Sequence, residues 1–134
     1  MPVDAFTLPQ LSRAFGAPYR TLHSWVERDL VSPSVHRATG TGRANLFDRQ
    51  DALTVAILSE LREAGVTLDL LRRAAQRLQE RREDLGMPVY LLVNGDVDIV
   101  TDEKAVTAAL ARGGAMLALY TGQALERVEA LEAG

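Results

Sequence analysis

The residues of this chain whose types and spacing could do chemistry gather in its first third. In "YRTLHSWVERDLVSP", Tyr19 to Pro33, the residues Leu22, Trp25 and Val26 fall on one face of a helix, and Arg20, His23, Ser24 and Glu27 fall on the other. Further on, "HRATGTGRANLF" sets Arg37 and Arg43 on a glycine-rich turn. A guanidinium, an imidazole and a hydroxyl on one wet face form a set of hydrogen-bonding groups. Phosphate oxygens and the edges of bases match such a set. Each residue also has a plainer reading. Arg20 and His23 are then solvated surface residues, and Tyr19, at the edge of the apolar face, is a packing residue. Arg37 and Arg43 have less alternative use, because long cations on a glycine-rich hairpin contribute little to packing. Trp25 reads as core.

Other chemistries find no support. Cysteine is absent, which removes disulfides and thiolate metal sites. His23 and His36 are the only histidines, so a histidine-built zinc site is not expected. No nucleophile–base pair, phosphate-binding glycine loop or metal-ligand spacing occurs. Asp96, Asp98, Asp102 and Glu103 read as turn and cap residues on a solvated surface, with Asp96 and Asp98 alternating onto one strand face. The expectation is therefore no enzyme, no metal and no cofactor. No apolar run approaches the roughly 18 residues that cross a bilayer. The start "MPVDAFTLPQ" has no basic and apolar leader. These features predict a cytoplasmic protein with no membrane partner.

The net charge of −3 argues against a polyanionic partner until its distribution is considered. Residues 11–50 carry six arginines (13, 20, 28, 37, 43 and 49) against Glu27, Asp29 and Asp48, a balance of +3. Residues 87–134 carry Lys104, Arg112 and Arg127 against seven acids, a balance of −4. A basic front acts on phosphates locally, since charges are screened over about 8–10 Å. Genomic base composition is the other source of so much arginine and alanine.

The elements that must position these residues follow from caps and periodicity. "TLPQ" is a capping box, with Thr7 as N-cap, Gln10 as its partner and a Phe6–Leu11 staple, and Gly16 closes a first helix of about 8–15. Pro18 opens a second helix, 18–28. The short link makes the two a helix-turn-helix. "SVHR" and "ANLF" predict a hairpin over 34–47. A third helix runs from near Asp48 to Ala64 and stops at Gly65. Thr67 caps a fourth, which extends to about Leu85 with Leu68, Leu71, Ala75 and Leu78 as its apolar face. Its arginines 72, 73, 77, 81 and 82 read as a solvated face with the local acids Asp69, Glu80 and Glu83. "GMP", 86–88, divides the chain into 1–86 and 87–134. Beyond it, the Asn94-Gly95 hairpin signal, a helix capped by Asp102 and stopped by Gly113, a third strand "AMLALY" and a last amphipathic helix make a small ββαβα unit. The fold class is α+β, mostly α.

From "FTLPQLSRAFGAPYRTLHSWVERDLVSPSV" through "GTGRANLFDRQDALTVAILSELREAGVTLDLLRRA" the chain resembles the MerR family of winged helix-turn-helix regulators, over about residues 5–78. Thr21-Leu22, Trp25, Glu27, Leu30, Pro33, the glycine-arginine wing, Phe47-Asp48 and "LREAGVTLDLLRR" carry the likeness. His23 stands where the family usually has arginine, Ser24 where it often has an aromatic, and Asp29 where the turn is usually glycine. Asn45 occupies the usual place of the wing arginine, with Arg43 nearby, and the family's mercury-binding cysteines have no counterpart. The resemblance implies a sequence-specific regulator of transcription that binds double-stranded DNA as a homodimer, in the nucleoid. Helix 18–28 would enter the major groove and the wing, 34–47, would lie on the backbone. Tyr19, Arg20, His23, Ser24, Arg37 and Arg43 are the expected DNA contacts. Dimerisation would come from the fourth helix, whose apolar repeat Leu71, Leu78 and Leu85 is broken by Arg82, or from the edges of the ββαβα unit. Residues 87–134 would thus be a dimerisation or effector unit, with RNA polymerase or another regulator as a further partner. The competing readings are a recombination directionality factor or architectural DNA-bender, and a protein- or ligand-binding module.

Overall fold

The computed structural model describes residues 5–36 and 45–134. Helix α1, Leu8–Phe15, opens on the expected capping box. The Gln10 amide donates to Thr7 Oγ1 at 3.4 Å, and the Thr7 amide donates to Gln10 Oε1 at 2.8 Å. It closes at Gly16 in the left-handed region, φ 70°. Helix α2, Tyr19–Glu27, begins one residue later than expected. Pro18 is its N-cap, with ψ 140°, an extended conformation that precedes a helix rather than sitting inside its first turn.

The end of α2 explains the Asp-Leu-Val-Ser-Pro segment. Asp29 takes φ 59°. Its amide bonds Val26 O at 3.1 Å, and the Leu30 amide bonds Trp25 O at 2.9 Å. These two bonds form a Schellman motif, in which a glycine usually supplies the left-handed residue; aspartate is one of the few others that enter this region. The turn buries Leu30, Val31 and Pro33 and sends the chain toward the hairpin. Only the base of that hairpin belongs to the described residues. His36 and Leu46 form one antiparallel bridge, and Phe6 and Phe47 form another, so the segment before α1 adds a third line of backbone to the wing base.

Helix α3, Arg49–Glu63, starts on an Asp48–Asp51 capping box, and α4, Leu68–Glu80, starts on Thr67. The expected fourth helix is cut short: a 3₁₀ segment, Arg82–Gly86, replaces its last turn and still buries Leu85. The back half is the expected ββαβα unit: β1 Tyr90–Val93, β2 Val97–Val100, α5 Glu103–Ala111, β3 Leu117–Tyr120 and α6 Gly122–Ala133. The sheet is antiparallel with order β2-β1-β3. One face of it, Leu91, Val93, Val97 and Ile99, joins a continuous apolar core with α1, α2, α3, α4 and α6. The two segments on either side of residues 86–88 therefore share buried surface, and α6 lies against α3. Leu71, Leu78 and Leu85 all enter that core at 3% exposure or less, which removes them as a free dimer stripe.

Candidate nucleic-acid interface

The outward face of α2 is formed as its periodicity requires. Leu22, Trp25 and Val26 are buried, with Trp25 at 3% exposure, so Trp25 is core. Tyr19, Arg20 and His23 are exposed, and Ser24 is half-buried between the two faces. Tyr19 is half exposed rather than packed into the core. Its ring stacks on His23, with centroids 5.9 Å apart and planes 28° apart. His23 Nδ1 lies 3.6 Å from Glu27 Oε1, one helical turn on. Tyr19, His23 and Glu27 thus form a ridge along the helix beside Arg20. Among the described residues, Arg20 has no ion pair or hydrogen-bond partner. The amino end of α2 carries no side-chain cap, unlike α1, α3 and α4. Its first N–H groups add positive potential beside Arg20.

Arg37 and Arg43 lie outside the described residues. The bridge between His36 and Leu46 that flanks them is defined, and Asp51, which no motif in the sequence marks as a wing residue, holds its start. Asp51, 6% exposed, accepts from the Ser34 amide at 2.9 Å, from Ser34 Oγ at 2.7 Å and from the Asp48 amide at 3.0 Å. One carboxylate so ties the start of the hairpin to the amino end of α3. Burial pushes the Asp51 carboxyl above its ordinary range, against the lowering effect of these hydrogen bonds. Arg82 approaches the same point, with Nη2 2.9 Å from Asp48 Oδ2 and Nη1 3.9 Å from Asp51 Oδ1. The sequence signal was the second half of a capping box, Asp48-x-x-Asp51, which reads as a local helix start and gives no hint of Ser34.

The α4 arginines correct another expectation. Of the local acids, Glu80 pairs with Arg77 at 3.3 Å. Arg81 also pairs locally with Asp84 at 2.7 Å, and Arg82 donates to Gln79 Oε1 at 3.4 Å, while the remaining bonds cross the fold. Arg72 donates to Arg28 O at 3.2 Å, Arg77 to Val97 O at 3.1 Å and Arg81 to Ile99 O at 3.3 Å. Arg73 pairs with Asp96 at 3.3 Å, and Asp96 sits in the turn before β2 rather than beside Asp98 on the strand. A polar groove of about 890 Å³ opens between the turn after α2 and α4, lined by Arg28, Ser34, Asp51, Arg72 and Arg82 among others. Two of its arginines already bond protein oxygens, Arg72 the Arg28 carbonyl and Arg82 the Asp48 carboxylate.

Two short helices joined through Gly16-Ala17-Pro18, with an outward polar face on the second and the His36–Leu46 bridge close to the start of α3, have the arrangement of a helix-turn-helix. Residues 6–78 match the model of the MerR HTH family of regulatory proteins, more than half of the chain, and the chain belongs to that family. It is also 33% identical over 73 residues to uncharacterized HTH-type transcriptional regulators of Mycobacterium bovis and Mycobacterium tuberculosis. That match covers 54% of this chain and 32% of theirs, so the chain spans about a third of the length of those relatives.

Proposed function

We propose that the chain is a sequence-specific double-stranded DNA-binding transcriptional regulator that acts as a homodimer. In this reading α2 enters the major groove, where Arg20 meets a base edge or an adjoining phosphate. His23 and Ser24 contact the groove wall, and Tyr19 donates its hydroxyl to a phosphate. The wing, with Arg37 and Arg43, lies on the sugar–phosphate backbone. Asp51 and Arg82 make no contact with DNA; they set the wing base relative to α2. Membership of the family supports the reading, and the observation that carries it is the outer face of α2. It is solvent-exposed and polar, and its one guanidinium is uncommitted among the described residues, whereas those of α4 are committed. A single short reading helix contacts few base pairs, and two copies on a pseudo-palindrome supply the rest of the specificity. Residues 87–134 then serve as the dimerisation or effector unit, with polymerase or another regulator as a candidate partner of its acidic surface.

Fluorescence anisotropy on labelled duplex from the chain's own upstream region, against scrambled duplex and across a salt series, tests this. The expected result is preference for the upstream duplex and a salt slope that Arg43→Ala lowers by about 0.9, one phosphate contact, on both duplexes alike. Absence of salt-dependent binding to either duplex overturns the reading.

A further inference from the structure

The two edges of the back sheet are not equivalent. On β2, the outward carbonyls of Val97 and Ile99 accept from Arg77 of α4 and from Arg81 at its carboxyl end. That edge is closed by the chain itself. On β3, the Thr121 amide bonds Val89 O at 2.9 Å, which fixes the alternation of the ladder: Leu117 and Leu119 bond toward β1, and Ala118 and Tyr120 turn their N–H and C=O groups outward. Among the described residues nothing bonds these outward groups. Exposed edges in native proteins usually carry charge, proline or a bulge against pairing. The stretch 115–123, "AMLALYTGQ", has no charge and no proline.

Tyr120 adds a second observation at the same edge. Its side chain is 51% exposed. Yet the ring is held on two sides, by Tyr90 with centroids 5.0 Å apart and by Gly122, where a Cβ would stand 2.6 Å from Tyr120 Cε2. An aromatic side chain that is fixed in place while half in water has already lost the freedom that binding would cost, as an interface anchor does.

We infer that β3 pairs edge to edge with β3 of a second copy of this chain, antiparallel about a twofold axis at Leu119. In this register Ala118 of one copy stands opposite Tyr120 of the other. Each such pair exchanges two backbone bonds, four in all. The small residue also leaves room for the fixed ring of the partner on the outer face. The sheet becomes six-stranded, β2-β1-β3-β3-β1-β2, closed at both ends by Arg77 and Arg81. A second copy is the occupant because the edge is its own complement: uncharged, antiparallel and alternating small with large. This deepens the homodimer of the proposed function and rests on that part of it, independently of the DNA face.

Sedimentation equilibrium without DNA tests it, on the whole chain, the Ala118→Pro variant and the Ala118→Arg variant, each checked for native fold by circular dichroism and thermal unfolding. Proline at 118 deletes only an outward N–H, so the ladder to β1 survives. Arginine there places a charged chain where the partner's ring would lie. The expected result is a wild-type particle of twice the 14.6 kDa chain mass and folded variants at the chain mass. A monomeric wild type overturns the inference, and any other occupant of the edge then becomes the question. A dimer that survives in whichever variants fold also overturns it, and leaves a dimer through another surface. DNA affinity is measured apart from this, so loss of the DNA reading leaves the outcome unchanged.

Discussion

Helices α2 and α4 both present arginine to the outside of the molecule, and the two use it in opposite ways. On α2, Arg20 stands beside Tyr19 and His23 on a face that is exposed among the described residues. On α4 and just past its end, Arg72, Arg77 and Arg81 each donate to a backbone carbonyl of a distant segment, and Arg82 of the 3₁₀ segment meets Asp48 at the wing base. The first face is left open and the second joins the wing region to the back sheet. Position on a helix does not decide whether a guanidinium can meet a ligand. Partners distant in sequence decide it.

The largest effect expected from breaking this contrast comes from beneath α4. Leu78 is fully buried in the core that both halves share. Leu78→Ala should lower stability by about 2–5 kcal/mol in chemical denaturation, with both halves unfolding in one transition. Two separated transitions would show that α4 does not join them.

Asp51→Asn should cost about 1–3 kcal/mol, because the NH2 that replaces one carboxylate oxygen can no longer accept from the Ser34 hydroxyl and stands uncharged beside the Arg82 guanidinium. The pH dependence carries a sign. The folded carboxyl has its pKa raised, chiefly by burial. The folded wild type therefore binds protons more readily than its unfolded chain, and gains stability relative to the variant as pH falls through the raised value toward the ordinary one. The gap between them should widen there and stay constant above it. A gap that narrowed would mean that Arg82 and the hydrogen bonds outweigh burial.

Arg77→Ala gives a smaller effect, about 1 kcal/mol, since one hydrogen bond to Val97 O and half-exposed ion pairs are lost. Asp29→Val, which puts a β-branched residue at φ 59°, should cost about 1–2 kcal/mol, read as a lowered denaturation midpoint.

Much of this was legible in the sequence because it is local. The Thr7–Gln10 box, Gly16, the Asn94-Gly95 turn and the Asp102 cap act over a few residues, and the structure has them as read. The outward face of α2 followed from helical period alone. The joins were not legible. Ser34 to Asp51, Arg82 to Asp48 and Arg81 to Ile99 span separations that no period or cap encodes. The shortened end of α4 belongs with them, since Arg81 there reaches both Asp84 and the sheet. The difference between the two sheet edges depends on the same long-range bonds.

The most direct test sets one arginine from each helix side by side. Arg20→Ala and Arg77→Ala would be measured by anisotropy on upstream and scrambled duplex at one salt concentration, with unfolding midpoints alongside. Arg20→Ala should lose about 1–3 kcal/mol of discrimination between the duplexes and keep its stability within about 0.5 kcal/mol. Arg77→Ala should keep the discrimination and lose stability. If Arg20→Ala discriminates as the wild type does, or Arg77→Ala loses discrimination while folded, then the open face of α2 is not what reads the DNA.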